Sequence, residues 1–300
     1  MAWGWSESDV PDLSGRVAVV TGANRGLGRE VTRYLAGRGA RVIMACRDEA
    51  AGEAAAAALR ARHPTASLEV RPLDLASLAS VEKFAEGLTG EPRLDLLGNN
   101  AGLMAVDRGL TAEGFETHMG VNHLGHFALT ARMLPLLQAT AGSRVVTMSS
   151  MVARLGRVDM SDLFWERRPY NRWQAYFQSK LANLLFTFEL DRRLRAARAA
   201  TAALAAHPGG SRTSLGRQGG HWTNRLLTTW SAFAQSAAVG ALGFVRAATD
   251  PAAQGGEYYG SQFQVWGPPV RERPSRQARD PELAAALWER SEQLTGCSYP

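Results

Sequence analysis

Five short apolar runs punctuate the first half of the chain: 16–20 (RVAVV), 41–45 (RVIMA), 68–72, 94–97 and 144–148 (RVVTM). Each is too short for a stable helix and several are rich in branched residues, so they read as buried strands. Runs at 201–206 and near Tyr258 add two more. Between the runs the apolar period changes from continuous to helical. Leu27, Val31 and Leu35 recur every four residues and line one face of a helix over 27–36. Similar patterns predict helices over 49–62, 78–88, 120–137, 176–196 and, near the end, 281–294. Strand and helix alternating in this way require a parallel sheet covered on both faces, because right-handed crossovers place the helices there. The expected fold class is therefore α/β, a doubly wound parallel sheet of about seven strands. No internal repeat, low-complexity linker or composition shift divides the chain, so residues 1–300 are expected to form one domain.

Composition adds limits rather than direction. The chain has 300 residues, 45% hydrophobic and 21% charged, as in an ordinary globular protein. Cys46 and Cys297 make no disulfide framework and have no metal-ligand spacing, which points to a reducing, cytoplasmic compartment. The first residues carry Trp3, Trp5, Glu7 and Asp9 where a secretory signal would have a basic start and an apolar run. The most apolar long stretch, 226–245, is interrupted by Thr228, Thr229, Ser231, Gln235 and Ser236; it reads as a buried or lid helix, not a membrane anchor. Net charge is +6. The arginines are scattered and not interleaved with aromatics, so a solvated basic surface is expected and nucleic acid is not a partner. Lysine occurs only at Lys83 and Lys180.

After the first strand comes Thr21-Gly22-Ala23-Asn24-Arg25-Gly26-Leu27-Gly28, opening into a helix. Glycines allow a sharp turn and close approach to a pyrophosphate, and a helix N-terminus offers free N–H groups and positive potential. The spacing is G-x-x-x-G-x-G, not the commoner G-x-G-x-x-G. This TGxxxGxG turn resembles that of the short-chain dehydrogenase/reductase family, which implies a Rossmann-type domain and a nicotinamide cofactor.

The resemblance extends along the chain. Where NAD-dependent members have an acid closing the second strand, this chain has Cys46 followed by Arg47. A guanidinium there pairs bidentately with a 2′-phosphate, and Arg25 in the glycine loop adds a second charge, so the implied cofactor is NADP(H). Asp74, with Leu75, resembles the contact to the adenine ring. Asn99-Asn100-Ala101-Gly102 resembles the family's NNAG motif. Gly98 stands where a branched residue is usual, and a local loss of packing is expected there.

The family's catalytic parts also have candidates. Tyr176-Phe177-Gln178-Ser179-Lys180 is a Y-x-x-x-K segment at a helix start, which places both side chains on one face. In the implied mechanism Tyr176 is the acid/base, and the Lys180 ammonium and the oxidised nicotinamide lower its pKa. Ser150 fits the substrate-oxygen contact better than Ser149. Asn122, a poor helix former inside a predicted helix, is implied to support a proton relay from Lys180. His123 and His126 lack a nearby acid and are expected to pack, so no metal is expected. Pro208, Gly209 and Thr213 resemble the segment that touches the nicotinamide and opens a substrate lid over 211–236.

Ser150 and Tyr176 are 26 positions apart, about twice the spacing in compact members. Asp159-Met160-Ser161-Asp162-Leu163, with Gln178-Ser179-Lys180-Leu181-Ala182-Asn183, resembles the retinol-dehydrogenase-like and WW-domain-oxidoreductase-like branch. That branch implies a hydrophobic ketone, aldehyde or alcohol as substrate. Trp222, Leu226, Leu227, Trp230 and Phe233 would suit an apolar lid. Carbonyl reduction is the expected direction, since cellular NADP is mostly reduced. Enone reduction, dehydration or epimerisation on the same scaffold are the rival reactions, and a non-catalytic NADP sensor is the rival class. The resemblance allows a homodimer through the helices of Asn122 and Tyr176, although this branch also contains monomers. The extension 270–300 has no assigned role.

Overall fold

The computed structural model describes residues 4–210 and 235–299. Its centre is an eight-stranded sheet: β1 (Val17–Thr21), β2 (Arg41–Cys46), β3 (Leu68–Pro72), β4 (Leu96–Asn99), β5 (Arg144–Met148), β6 (Ala202–Ala206), β7 (Tyr258–Ser261) and β8 (Pro269–Glu272). The spatial order is β3-β2-β1-β4-β5-β6-β7-β8. The first seven strands run parallel, as expected. The eighth, inside the extension, pairs antiparallel with β7. Its run carries alternating charges (Pro269-Val270-Arg271-Glu272), which suits an edge and hides it from a search for apolar runs.

Alternate strand residues feed opposite cores. Ala18 and Val20 of β1, with Val42, Met44 and Cys46 of β2, face α1 (Gly26–Ala36), α2 (Glu49–Arg60) and α6 (Ala237–Thr249). Val17, Val19, Ile43 and Ala45 face α3 (Leu78–Glu86), α4 (Gly125–Gln138) and α5 (Arg172–Ala196). Burial on both faces explains why these strands read as unbroken apolar runs.

Four local expectations change. Gly98 is no packing defect: a Cβ there would lie 3.1 Å from Phe244 Cζ and 3.2 Å from the Val19 carbonyl oxygen. Phe244 of α6 is fully buried and supplies the bulk that Gly98 omits. The fourth strand begins at Leu96, two residues late, because the Leu94 amide donates instead to Thr140 Oγ1 at 3.0 Å. Helix α5 begins before Tyr176, at Arg172, where the Asn171 side chain accepts from the Trp173 and Gln174 amides. Ahead of α4 the chain makes a π-helical turn, Met119–Leu124, which contains Asn122. Of the stretch 226–245, the part from Ala237 is in α6, capped by Ser236, and 226–234 lies outside the described residues.

The extension ends in α7 (Pro281–Thr295), with Asp280 as N-cap, Pro281 in the first turn and left-handed Gly296 just beyond. It packs against α4 and α5. Trp288 is 2% exposed, 5.1 Å from the Phe127 ring and stacked at 5.8 Å on Phe186. His123 Nε2 meets Ser291 Oγ at 2.9 Å, so this histidine ties α7 to the turn before α4. The face of α4 and α5 through which the resemblance allows pairing is packed against the chain's own C-terminal helix. No helix among the described residues is long and apolar enough to cross a membrane.

Candidate active site

A parallel sheet directs the carboxyl ends of its strands to one edge, and a crevice opens where the strand order reverses, here between β1 and β4. A cavity of about 510 Å³ occupies that edge. It touches the loop after each of β1 to β6, so the strand order lays the candidate residues along a line. Arg47 and Asp74 stand at one end, the glycine loop at the middle, and Ser150, Tyr176, Lys180, Pro208 and Gly209 at the other.

The glycine loop is built for close approach. Gly22 (φ 66°) and Gly26 (φ 55°) adopt the left-handed backbone that favours glycine. A Cβ on Gly28 would fall 2.3 Å from the Gly22 carbonyl oxygen. Asn24, Arg25, Gly26, Leu27 and Gly28 line the cavity ahead of α1. Thr21 closes the loop: its Oγ1 accepts from the Asn100 and Ala101 amides, both at 2.9 Å. Its carbonyl accepts from Asn100 Nδ2 at 2.8 Å. The Asn100 Oδ1 is buried and unpartnered among the described residues. A vacant acceptor, two turning glycines and the N-terminus of α1 around one elongated cavity are a cradle that fits a dinucleotide.

At the outer end Cys46 is buried, and burial pushes the thiol up to about 11, opposed in part by the nearby Ala23 and Asn24 backbone. The position itself carries no acid, and Asp48 lines the cavity two residues further on. Arg25 and Arg47 are exposed, and among the described residues neither joins an ion pair. Asp74 lines the cavity, with Oδ1 accepting from the Ala76 amide at 3.0 Å, beside Leu75.

At the inner end the Tyr176 side chain, 6% exposed, lines the cavity together with Ser150, whose nearby hydroxyl favours the phenolate. Ser149 is committed elsewhere, its Oγ donating to the Lys180 carbonyl oxygen at 2.7 Å. Lys180 Nζ donates to the Met148 carbonyl oxygen at 3.1 Å and lies 6.0 Å from the Tyr176 ring centroid. Gly102 separates Asn122 from Lys180; a Cβ on it would lie 3.1 Å from Asn122 Oδ1 and 3.3 Å from Lys180 Nζ. Asn122 itself stands behind the cavity lining. It accepts the Leu103 amide at 2.8 Å, and donates to the Leu103 carbonyl at 3.0 Å and to Ser179 Oγ at 2.9 Å.

The expected lowering of the Tyr176 pKa belongs to the cofactor-bound site; in the chain alone, burial pushes the phenol up to about 12, opposed only in part by the nearby Ser150 side chain. Burial also pushes Lys180 down to about 8. Desolvation penalises the charged form of each.

Several contributors escaped the motif reading. Thr21 was visible as a hydroxyl ahead of the glycines. His126 reaches Thr21 Oγ1 at 2.9 Å and the Asn122 carbonyl at 3.0 Å, so it braces the loop; burial pushes it down to about 4. His207 accepts the Gly209 amide on Nδ1 at 3.1 Å and meets Glu272 of β8 at 3.0 Å, which ties the edge strand to the Pro208–Gly209 loop. Nothing local in the sequence links positions 65 apart. Thr213 lies outside the described residues, as do lid residues 211–234. Among the described residues no group of three His, Cys, Asp or Glu side chains is placed to hold a metal.

Residues 16–163 match the short chain dehydrogenase family model. Human retinol dehydrogenase 12 is 42% identical over 293 residues, covering 96% of this chain and 88% of that protein. The chain belongs to the short-chain dehydrogenase/reductase family. Within it the chain is retinol-dehydrogenase-like: human retinol dehydrogenase 14 is 41% identical, over 95% of this chain and 87% of the relative. Among solved structures, an uncharacterised protein from Mycobacterium paratuberculosis is 46% identical, with TM-score 0.83 and 99% of both chains covered. The Pseudomonas aeruginosa RhlG/NADP active-site complex is 27% identical, with TM-score 0.65, over 82% of this chain and 94% of that one. Membership makes this short-chain dehydrogenase/reductase an oxidoreductase of carbonyl and alcohol groups that uses a nicotinamide cofactor.

Proposed function

We propose that this enzyme uses NADP(H) to interconvert a carbonyl and an alcohol on an apolar small molecule, with Tyr176 as the acid/base and reduction as the cellular direction. The observation that carries the reading is the convergence of Ser150, Tyr176 and Lys180 at the end of the cavity remote from Arg47. When bound, the cofactor supplies the hydride. Ser150 and Tyr176 direct their hydroxyls at one substrate oxygen, and Tyr176 gives its proton to the alkoxide as it develops. A phenol pushed up to about 12 is protonated at neutral pH, as a proton donor must be. Lys180 would stabilise the phenolate and hold the ribose of the bound cofactor, and Asn122 would support return of the proton through Lys180.

For the cofactor, Gly22, Asn24, Arg25, Gly26, Leu27 and Gly28 take the pyrophosphate, and Asp74 and Leu75 the adenine. Asn100, Ala101, Gly102, Pro208 and Gly209, together with Tyr176 and Lys180, would hold the inner half. Preference for the 2′-phosphate is supported by Arg25 and Arg47, both without an ion-pair partner among the described residues, and by Cys46 in the acid's place. The Pseudomonas neighbour, an NADP complex, agrees with that preference. The names of the retinol dehydrogenases support a small apolar alcohol or aldehyde as substrate. Two buried, free cysteines suit a reducing compartment, and we place the protein in the cytoplasm.

The test is product analysis. Purified protein with NADPH and a panel of apolar aldehydes and ketones, retinaldehyde included, is expected to yield the alcohols. Saturated enones, dehydrated products or epimers in their place would overturn the reading.

A further inference from the structure

The wall of the cavity next to Tyr176 is the short loop Leu103-Met104-Ala105-Val106. Leu103 and Met104 line the cavity directly, while Ala105 is fully buried in a left-handed conformation (φ 50°). An alanine keeps that conformation only where its surroundings impose it. Asn122 holds Leu103 through both its amide and its carbonyl. At the other end the Val106 amide donates to His118 Nε2 at 3.3 Å. For Nε2 to accept, the imidazole must carry its proton on Nδ1, and Nδ1 faces Glu116 Oε1 at 2.8 Å.

Glu116 is fully buried and fully used. Its carboxylate accepts from the His118 and Met119 amides, from His118 Nδ1, and from the Tyr170 hydroxyl at 2.9 Å. These donors hold the acid below the usual range despite its burial. Tyr170 comes from the inserted segment between Ser150 and Tyr176, and that segment is docked here a second time by Phe164, stacked 5.3 Å from Phe115. The His118 ring lies 6.2 Å from the Tyr176 ring.

We propose that Glu116, His118 and Tyr170 are positioning residues that fix the Leu103–Val106 wall against the reacting end, and so set affinity for the carbonyl substrate. The insertion that distinguishes this chain from compact members is present, on this account, to supply Tyr170 and Phe164 to that brace. The inference rests on the reductase reading for its kinetic consequence, but its structural consequence does not.

Two readouts separate them. In the His118→Phe variant, hydrogen exchange of a peptide spanning residues 103–106 is expected to quicken about tenfold, since the Val106 amide loses its acceptor. KM for a carbonyl substrate should rise about fivefold or more, with kcat and the NADPH Kd within about twofold. Loss of activity through misfolding alone would lower kcat and leave KM unmoved. Tyr170→Phe, which removes one hydroxyl, should move exchange and KM in the same direction by about threefold, and it decides the matter if His118→Phe does not fold. Unchanged exchange and KM in Tyr170→Phe, or in both variants, would overturn the proposal. Wild-type protein inert toward every carbonyl would instead overturn the function reading, and exchange would still judge the brace.

Discussion

The Lys180 ammonium donates to the Met148 carbonyl oxygen at 3.1 Å, and the same oxygen takes Asn183 Nδ2 at 3.1 Å. Strand β5 thereby holds the lysine in place before any cofactor arrives, at the cost of burying its charge. The unfolded chain returns Lys180 to its ordinary value of 10.5, against about 8 when folded. Between those values the unfolded state holds a proton that the folded state has released, so stability rises with pH. Below about 8 both states are charged and the burial cost is fully present. Tyr176 acts oppositely from 10 to about 12, where only the unfolded chain has lost its proton and stability falls. Urea melts from pH about 7.5 to about 9.5 should therefore show wild type gaining on Lys180→Met. Parallel curves would contradict this.

Arg47 is exposed and free of ion pairs among the described residues, so removing it should leave the fold intact. Calorimetric titration of Arg47→Ala is expected to show NADPH binding weakened about tenfold, with NADH changed by less than about twofold. Equal binding of both cofactors by wild type would shift the assignment to NAD(H).

Gly98 offers a direct test of the packing correction. An alanine there must displace Phe244 or strain β4, with 3.1 Å to the ring and 3.2 Å to the Val19 oxygen. A loss of about 1–3 kcal/mol is expected for Gly98→Ala in chemical denaturation. A neutral result would mean that the ring has room to move.

The residues show why some features were legible and others not. Strands buried on both faces announce themselves as apolar runs, and cofactor loops carry glycines whose purpose is local; Gly22, Gly28 and Tyr176 belong to that class. Gly98 misled because its partner, Phe244, is remote in sequence and fills the space from another helix. Asn122 was found by its misfit in a helix, but the π-helical turn that lets it reach Leu103 depends on a tertiary contact. Strand β8 and the His207–Glu272 pair escaped because an exposed edge has no apolar signature and long-range polar pairs leave no spacing. Burial of the Tyr176 phenol, which raises its pKa in the chain without cofactor, is likewise not displayed by the sequence.

Helix α7 makes a prediction about assembly. Trp288 lies among Phe127, Phe186 and Tyr299, with the Tyr299 ring 4.4 Å away. Trp288→Ala should cost about 3–5 kcal/mol. Light scattering should find wild type monomeric, because pairing through α4 and α5 would have to displace this helix. A dimer that persists in Trp288→Ala would show that another face is used.

The central claim is that Tyr176 transfers the proton in an NADPH-dependent carbonyl reduction. Steady-state NADPH oxidation by wild type and Tyr176→Phe, measured beside NADPH affinity, tests it most directly. The account predicts turnover by wild type and a fall of about 100-fold or more in kcat for the variant, with cofactor affinity retained. Full activity in Tyr176→Phe would contradict it.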